Sequence, residues 1–216
     1  MSEIFETVEL EERKVGKDLY SYQKGAIDKI FRSFEEAPED YHLLYQLPTG
    51  GGKTVIFSEI VRQYLKHHNK KVLVMTHRVE LCKQTSGMLS EFGVLNKVVD
   101  STANLDNQNN YSCFVAMVET LNNRLNDDKL DISNIGLVII DEAHYNSFTK
   151  LFKFFEKSFI LGVTATPLSS SIKLPMKDNY NELIVGETIE SLIDNEFLSR
   201  ANTYSYNVGL TSLVVG

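Results

Sequence analysis

The stretch that decides the fold of this chain reads Leu47-Pro48-Thr49-Gly50-Gly51-Gly52-Lys53-Thr54. An apolar run precedes it at 43–45, and apolar residues at helical spacing follow it at 55–65. This order predicts a strand, a loop and a helix. Three adjacent glycines let the backbone turn tightly and bring its N–H groups close to a ligand, and the N-terminus of the following helix adds partial positive charge. The stretch therefore predicts a phosphate-binding loop.

Two side chains at the end of this loop suit a nucleotide. Lys53 supplies a point charge for the terminal phosphates, and the Thr54 hydroxyl is a suitable ligand for Mg²⁺. The strict phosphate-loop pattern requires glycine at position 47, where this chain has Leu47. The match is therefore to the Gly-Lys-Thr end only, and a glycine-rich surface turn without a ligand is the alternative.

The overall composition favours one acidic globular domain. The chain has 216 residues, of which 43% are apolar, enough for one sizeable core. Its net charge of −7 and pI of about 5.3 argue against a strongly basic nucleic-acid module, so any such binding must be local. Much of the acid lies within the first 18 residues, which we interpret as an acidic lead-in with a solvated face or a frayed end.

The two cysteines and the apolar runs bear on location. Cys82 and Cys113 have no metal-ligand spacing, so we predict buried thiols in a reducing compartment. The longest apolar runs are far shorter than a membrane span, and the N-terminus carries acidic residues where a signal peptide carries basic ones. We expect a cytoplasmic protein with no membrane partner.

A helix is predicted over residues 19–34, where apolar residues recur at intervals of three and four before Pro38. Its first turn contains Tyr20 and Gln23. A glutamine side chain can pair its donor and its acceptor with the N6 and N7 edge of adenine. The alternative is that Gln23 is an ordinary helix residue.

Strands alternate with helical patterns along the rest of the chain, which predicts a parallel sheet covered by helices on both faces. Ligands of such sheets gather at the carboxyl ends of the strands. Loops are expected at 102–110, which is rich in Asn, Asp and Gln, and at 169–177, which contains Pro175. The predicted strands after the phosphate loop are 70–75, 97–99, 113–118, 137–140 and 159–163.

Two of these strands end in polar residues that suit hydrolysis. The apolar run 136–140 is followed by Asp141 and Glu142, which should emerge beside the phosphate loop. Asp141 can hold Mg²⁺, and Glu142 can orient or deprotonate the water that attacks a phosphate. The later strand ends in Thr164-Ala165-Thr166-Pro167, whose two hydroxyls can bond neighbouring loops. Each strand end by itself would be an ordinary turn. Their joint occurrence with the phosphate loop is what favours a role in hydrolysis.

Together these stretches resemble the first motor domain of superfamily 2 helicases and translocases, the DEAD/DEAH-box group. The tail 180–200 is similar to the element that leads out of this domain in relatives of the restriction-enzyme motor subunit type. The motifs, in chain order, are Tyr22-Gln23 for the Q motif, 48–54 for motif I, 76–84 for motif Ia, Asp141-Glu142-Ala143-His144 for the DEAH box or motif II, and 164–166 for motif III.

The resemblance implies a RecA-like α/β P-loop fold with a mostly parallel sheet, ATP with Mg²⁺ as the nucleotide, and DNA or RNA as the partner. It places Thr76 and Arg78 near a nucleic-acid backbone. His144 would contact Thr164 and Thr166 and couple nucleotide state to movement of a second RecA-like domain, normally in the same polypeptide. 

Three positions depart from the family's pattern. Tyr20 stands where many relatives have arginine, although its ring could stack on adenine. Met117 and Glu119 replace the family's frequent Thr and Gln, and a carboxylate at position 119 repels a phosphate.

Three functions remain open from the sequence. The leading interpretation is an ATP-dependent nucleic-acid motor, or its first half. The others are a nucleotide-dependent binding or regulatory module that unwinds nothing, and a P-loop phosphotransferase such as a small-molecule kinase. The kinase would need an acceptor site and a lid, and the carboxylate–alanine–histidine motif argues against it.

The expected domain extent is 19–206 for the first RecA-like domain, with 207–216 starting a linker towards a second one. The related motors use two such domains, and Arg200 is the only arginine after Pro167. We therefore expect this chain to bind ATP but to hydrolyse it poorly and to unwind nothing by itself.

Overall fold

A computed structural model of the chain describes residues 17–38, 40–103, 107–126, 131–168 and 175–200. Most of the predicted acidic lead-in and all of the predicted linker at 207–216 lie outside these ranges. All strands that the structure describes join one sheet, as expected for a single domain. The domain boundaries at 19 and 206 stay a prediction.

The sheet has seven strands, and every neighbouring pair is parallel. Its order across the sheet is β3-β4-β2-β5-β6-β1-β7. This arrangement confirms the predicted α/β fold with a parallel sheet. The strands are β1 (His42–Gln46), β2 (Lys71–Thr76), β3 (Asn96–Val99), β4 (Cys113–Met117), β5 (Ile135–Asp141), β6 (Phe159–Thr164) and β7 (Glu182–Val185).

Helices cover both faces of the sheet. The α-helices are α1 (Ser21–Glu36), α2 (Lys53–His67), α3 (Val79–Glu91), α4 (Val118–Asn126) and α5 (Ile189–Asp194), and 3₁₀ helices occupy Gln108–Asn110, Asn146–Phe154 and Met176–Asp178. One core cluster joins the sheet to α1, α2 and α3, and a second joins its other face to α4 and the 3₁₀ helix at 146–154. Along β5, Leu137 and Ile139 pack into the first cluster, whereas Val138 and Ile140 pack into the second. All seven residues of β5 are buried, as its unbroken apolar run predicts.

The sequence analysis did not predict β7. This strand is four residues long, its side chains alternate between half-buried and exposed, and it pairs only with β1 at the edge of the sheet. An edge strand gains its order from backbone pairing with its neighbour, so it needs no long apolar run. Of the two predicted loops, the described parts contain short 3₁₀ turns at 108–110 and 176–178.

Both cysteines are buried free thiols, as predicted. Among the helices that the structure describes, none has both the length and the apolar composition that crossing a membrane requires.

Parallel pairing brings the predicted motifs to one edge of the sheet. Gln46 at the end of β1 lies beside Thr164 at the end of β6, and Asp141 at the end of β5 lies beside Val163. Strand β2, which leads to Thr76, pairs with β5 on its other side. The predicted phosphate loop and the three later motifs therefore meet at the carboxyl ends of four adjacent strands.

Candidate active site

The glycine loop has the backbone conformation that its composition predicts. Gly50 and Gly52 have φ of +85° and +81°, values that favour glycine over all other residues. Gly52 is the N-cap of α2. The loop therefore ends at the N-terminus of that helix, which carries partial positive charge. Leu47, which occupies the place of the first glycine in the strict pattern, is fully buried beneath the loop. A Cβ on Gly51 would lie only 2.8 Å from the Leu47 side chain, so Leu47 is tolerated because position 51 is glycine.

Lys53 begins α2 and points back into this loop. Its side chain is 9% exposed, and Nζ lies 3.4 Å from the Leu47 carbonyl oxygen, to which it donates, and 3.9 Å from Glu142 Oε1. Both distances are long for an ammonium group, which forms strong bonds nearer 2.8 Å. Phosphate oxygens in the loop would accept the remaining hydrogen bonds of this buried ammonium group, so the residues present fit a nucleoside triphosphate.

The two carboxylates of the DEAH box occupy different environments. Asp141 is the last residue of β5 and is 7% exposed. Its Oδ1 accepts a hydrogen bond from the Glu142 N–H at 3.1 Å. Glu142 has φ of +54°, a left-handed conformation that is uncommon outside glycine and that often marks functional residues. This turn sends the Glu142 side chain across to Lys53.

Burial and the neighbouring Glu142 carboxylate raise the pKa of Asp141 from its ordinary value near 3.8 to about 6, against the opposing effect of Lys53. A carboxyl group kept from water beside another carboxylate favours its neutral form until a cation arrives. Asp141 therefore suits a divalent-metal ligand, because a bound cation relieves both causes of the raised pKa.

We expect Asp141→Asn to unfold at a higher temperature than the wild type at pH 8 without nucleotide and with a metal chelator. Because the folded-state pKa lies above the unfolded-state pKa, the folded state loses stability as pH rises from about 4 to about 6. The asparagine variant avoids this loss, which is at most about 3 kcal/mol. Thermal unfolding at pH 8 and pH 4 tests this, and the difference between the two proteins should disappear at the lower pH.

The matched control is Asp100→Asn. Bonds from the Thr102 hydroxyl and N–H hold the pKa of the Asp100 carboxyl below its ordinary value, so its removal should not stabilise the protein at pH 8. A gain for Asp141→Asn that was equally large at both pH values would contradict the electrostatic explanation.

His144 links the DEAH box to the end of β6. Its Nδ1 lies 3.0 Å from Thr164 Oγ1 and 3.4 Å from Glu142 Oε2. The Thr164 hydroxyl donates to the Thr166 carbonyl and accepts from the Thr166 N–H. Since that hydroxyl has one hydrogen, Nδ1 of His144 must carry the proton of the His144–Thr164 bond. The structure thus brings together the predicted residues of motifs II and III.

The first turn of α1 reaches the glycine loop from the other side. The Tyr22 hydroxyl donates to the Gly51 carbonyl at 2.8 Å, and Gln23 Nε2 donates to that hydroxyl at 3.4 Å. Gln23 is 4% exposed, and its Oε1 accepts from the Tyr20 N–H at 3.0 Å. A Cβ on Gly52 would lie 2.5 Å from Gln23 Nε2. Gln23 therefore lies against the loop, and its pairing with adenine stays a prediction.

Sequence reasoning missed two residues beside the loop. Phe197 packs against the rings of Tyr20 and Tyr22, and Leu198 lies against Gly50, where an added Cβ would be 3.0 Å away. Both follow α5, about 150 residues after the glycine loop in the chain. Both lie in the tail 180–200, and the sequence signal was the resemblance of that tail to the element that leads out of this domain.

Thr76 and Arg78 have different surroundings. Thr76 is fully buried, and its hydroxyl donates to the Arg78 carbonyl at 3.1 Å, whereas Arg78 is exposed. Between them, the His77 ring packs against Tyr145 at a tilt of 32°, with ring centroids 4.2 Å apart. Arg78 is thus the residue able to reach a phosphate directly, and a nucleic-acid contact here stays a prediction.

Comparison with known proteins agrees with this geometry. A protein-family model described as "Type III restriction enzyme, res subunit" matches residues 16–169, which include the glycine loop, the DEAH box and motif III. The chain belongs to this family. Membership of this family, together with the parallel sheet, identifies the chain as the first RecA-like motor domain of the superfamily 2 helicase and translocase type.

This res-subunit domain is similar to parts of two longer proteins. Over 206 residues it is 31% identical to the putative ATP-dependent helicase IRC3 of Saccharomyces cerevisiae, covering 88% of this chain and 29% of the yeast protein. Over 166 residues it is 32% identical to the 51.5 kDa protein of a Lactococcus phage, covering 75% of this chain and 32% of that protein. The chain thus spans less than a third of each of these relatives.

Solved structures share the fold of the res-subunit domain. The UvsW helicase of bacteriophage T4 aligns with a TM-score of 0.60 at 19% identity, over 79% of this chain and 63% of the UvsW chain. The Type ISP restriction-modification enzyme LlaGI, solved with a DNA substrate mimic, aligns with a TM-score of 0.63 at 18% identity, over 84% of this chain and 21% of that enzyme. At these identities the likeness supports the RecA-like fold alone.

Proposed function

We propose that this domain binds ATP with Mg²⁺ and hydrolyses ATP as part of a motor acting on DNA or RNA. The proposal rests on the buried Lys53 ammonium at the end of the glycine loop. Its Nζ lies 3.9 Å from Glu142 Oε1, and Asp141 is the residue before Glu142. The similarity to the yeast protein IRC3, a putative ATP-dependent helicase, supports the same activity.

The chain's own residues divide the work of binding. The backbone N–H groups of 49–52, the N-terminus of α2 and the Lys53 ammonium would hold the phosphates. Thr54 and Asp141 would hold the metal ion, which when bound neutralises charge on the phosphates. In the described ranges no three His, Cys, Asp or Glu side chains are arranged to hold a metal. Thr54 and Asp141 would therefore share the ion with phosphate oxygens and water.

Glu142 is the proposed general base. Its left-handed turn directs the carboxylate towards Lys53, and His144 Nδ1 lies 3.4 Å from Oε2. Lys53 would turn from Glu142 towards the phosphates on binding, since several phosphate charges outweigh one carboxylate. Glu142 would then be free to accept a proton from the attacking water.

The nucleic-acid contact is proposed for the surface around Arg78. The net charge of −7 gives the whole domain no general attraction to phosphates, so an exposed arginine beside the site must act locally. A contact to backbone phosphates would position DNA or RNA without reading its sequence.

A second RecA-like domain and a cytoplasmic location remain part of the proposal. In the related motors a second domain of this kind would supply an arginine to the phosphates. An arginine supplied to the transition state is worth roughly 10³–10⁵ in rate. We therefore propose that this domain by itself hydrolyses ATP slowly.

The deciding experiment measures ATP hydrolysis by the full-length protein with and without single- and double-stranded DNA and RNA. We expect a severalfold increase with at least one of these nucleic acids. Hydrolysis that no nucleic acid changed would contradict a motor and favour a nucleotide-dependent regulatory module. Failure to bind ATP would contradict both.

A further inference from the structure

Three aromatic rings cluster beside the glycine loop. The Phe197 ring centroid lies 4.7 Å from that of Tyr20 and 5.0 Å from that of Tyr22, with the rings tilted by 47° and 53°. Tyr20 and Tyr22 are 6.0 Å apart and nearly parallel. The Tyr22 hydroxyl donates to the Gly51 carbonyl, so this cluster is tied directly to the loop.

The backbone at Phe197 is held by helix α5. The N–H groups of Phe197 and Leu198 both donate to the carbonyl of Leu192, at 2.8 and 2.9 Å, and the Leu192 side chain is fully buried in α5. Three residues separate helix α5 from β7, which pairs with β1, the strand that leads into the glycine loop. Phe197 is therefore held on the same framework as the loop.

Tyr20, in contrast, depends on its neighbours. It precedes the first turn of α1, and its backbone N–H bonds to Gln23 Oε1. Tyr20 is 51% exposed, and its aromatic neighbours in the described part of the chain are Phe197 and Tyr22. A separation of 4.7 Å is direct ring contact and leaves no room for a base between Tyr20 and Phe197. The ring surface available to a ligand is thus the outward, exposed part of Tyr20.

We propose that Phe197 is a positioning residue for the nucleobase: it supports the Tyr20 ring from behind, so that the exposed part of Tyr20 forms a platform on which adenine stacks. The proposal rests on ATP binding by this domain, as proposed above. It adds a residue from the far end of the domain to the nucleotide site. Leu198 contributes by packing on Gly50, which keeps the loop and the platform in a constant relation.

The test compares ATP with inorganic tripolyphosphate, which has the phosphates but no base, in binding to the 216-residue chain by isothermal titration calorimetry. An aromatic contact of this kind corresponds to a change of about two- to tenfold in affinity. We expect Phe197→Ala to weaken ATP binding within that range and to leave tripolyphosphate binding unchanged. Phe197→Tyr, which keeps the ring, should bind ATP with the affinity of the wild type.

A further variant shows that Phe197 acts through Tyr20. Phe197→Ala combined with Tyr20→Ala should bind ATP no more weakly than Tyr20→Ala alone. The matched control is Phe152→Ala, which removes a half-buried ring with aromatic neighbours, His42 and Tyr180, at the opposite end of β1. It should change neither affinity.

Each contrary result is distinguishable. Equal losses of ATP and tripolyphosphate affinity in Phe197→Ala would mean damage to the loop and overturn the positioning role. Tighter ATP binding would mean that Phe197 blocks the base site. Unchanged ATP binding would mean that Phe197 has no part in that site. Either result overturns the positioning role and leaves the proposed ATP binding intact. A wild-type chain that bound neither ligand would overturn the proposed function itself.

Discussion

Replacing Glu142 with glutamine is expected to lower ATP turnover by about 10²–10⁴-fold, the usual contribution of a general base, while ATP still binds. The amide keeps the shape of the side chain but cannot accept a proton from water. It also removes the carboxylate that lies 3.9 Å from Lys53, so the ammonium is freed for the phosphates and affinity should not fall. Steady-state hydrolysis by the full-length protein and titration of a fluorescent ATP analogue measure the two effects separately.

The control for this variant is Glu156→Gln, an exposed glutamate near the start of β6, at the opposite end of the strands. It carries the same chemical change and should hydrolyse ATP at the wild-type rate. If Glu142→Gln also turned ATP over normally, another group would have to be the base.

Replacing Lys53 with alanine is expected to weaken ATP binding by about 2–5 kcal/mol, which is roughly 30-fold to several thousandfold. The variant removes a buried cation that faces the phosphate loop, and it leaves Glu142 and Asp141 as uncompensated negative charges beside the phosphates. Repulsion and lost attraction therefore act in the same direction. Titration of the fluorescent analogue into the 216-residue chain measures the loss.

Lys66→Ala serves as the control, because Lys66 is an exposed lysine in the last turn of the same helix, α2. It should bind the analogue as the wild type does. Wild-type affinity in Lys53→Ala would show that the glycine loop does not bind phosphates.

The backbone of the site could be predicted because its signals are local. Adjacent glycines before Lys53 determine a tight turn and a helix start, and the unbroken apolar run before Asp141 determines a strand buried on both faces. Parallel strands end at a common edge, so the meeting of these two segments also followed from the sequence. The structure confirms both.

The sequence did not show the chemical state of the residues at that edge. The left-handed turn at Glu142 and the raised pKa of Asp141 both depend on what packs around them. Leu47 illustrates the same point, since a departure from the phosphate-loop pattern is accommodated by the absence of a side chain at Gly51. Such effects require distances between atoms, which a motif does not contain.

By itself the sequence determined the α/β class, the glycine loop and the carboxylate pair, because glycine conformations and apolar periodicity act over a few neighbouring residues. Only the tertiary structure placed β7 beside β1 and, through α5, brought Phe197 to Tyr20 across 177 positions of the sequence. The physical reason is that strand order is decided by how all the helices and strands pack together. Residues that come into contact because of that order have no local sequence pattern from which the contact could be predicted.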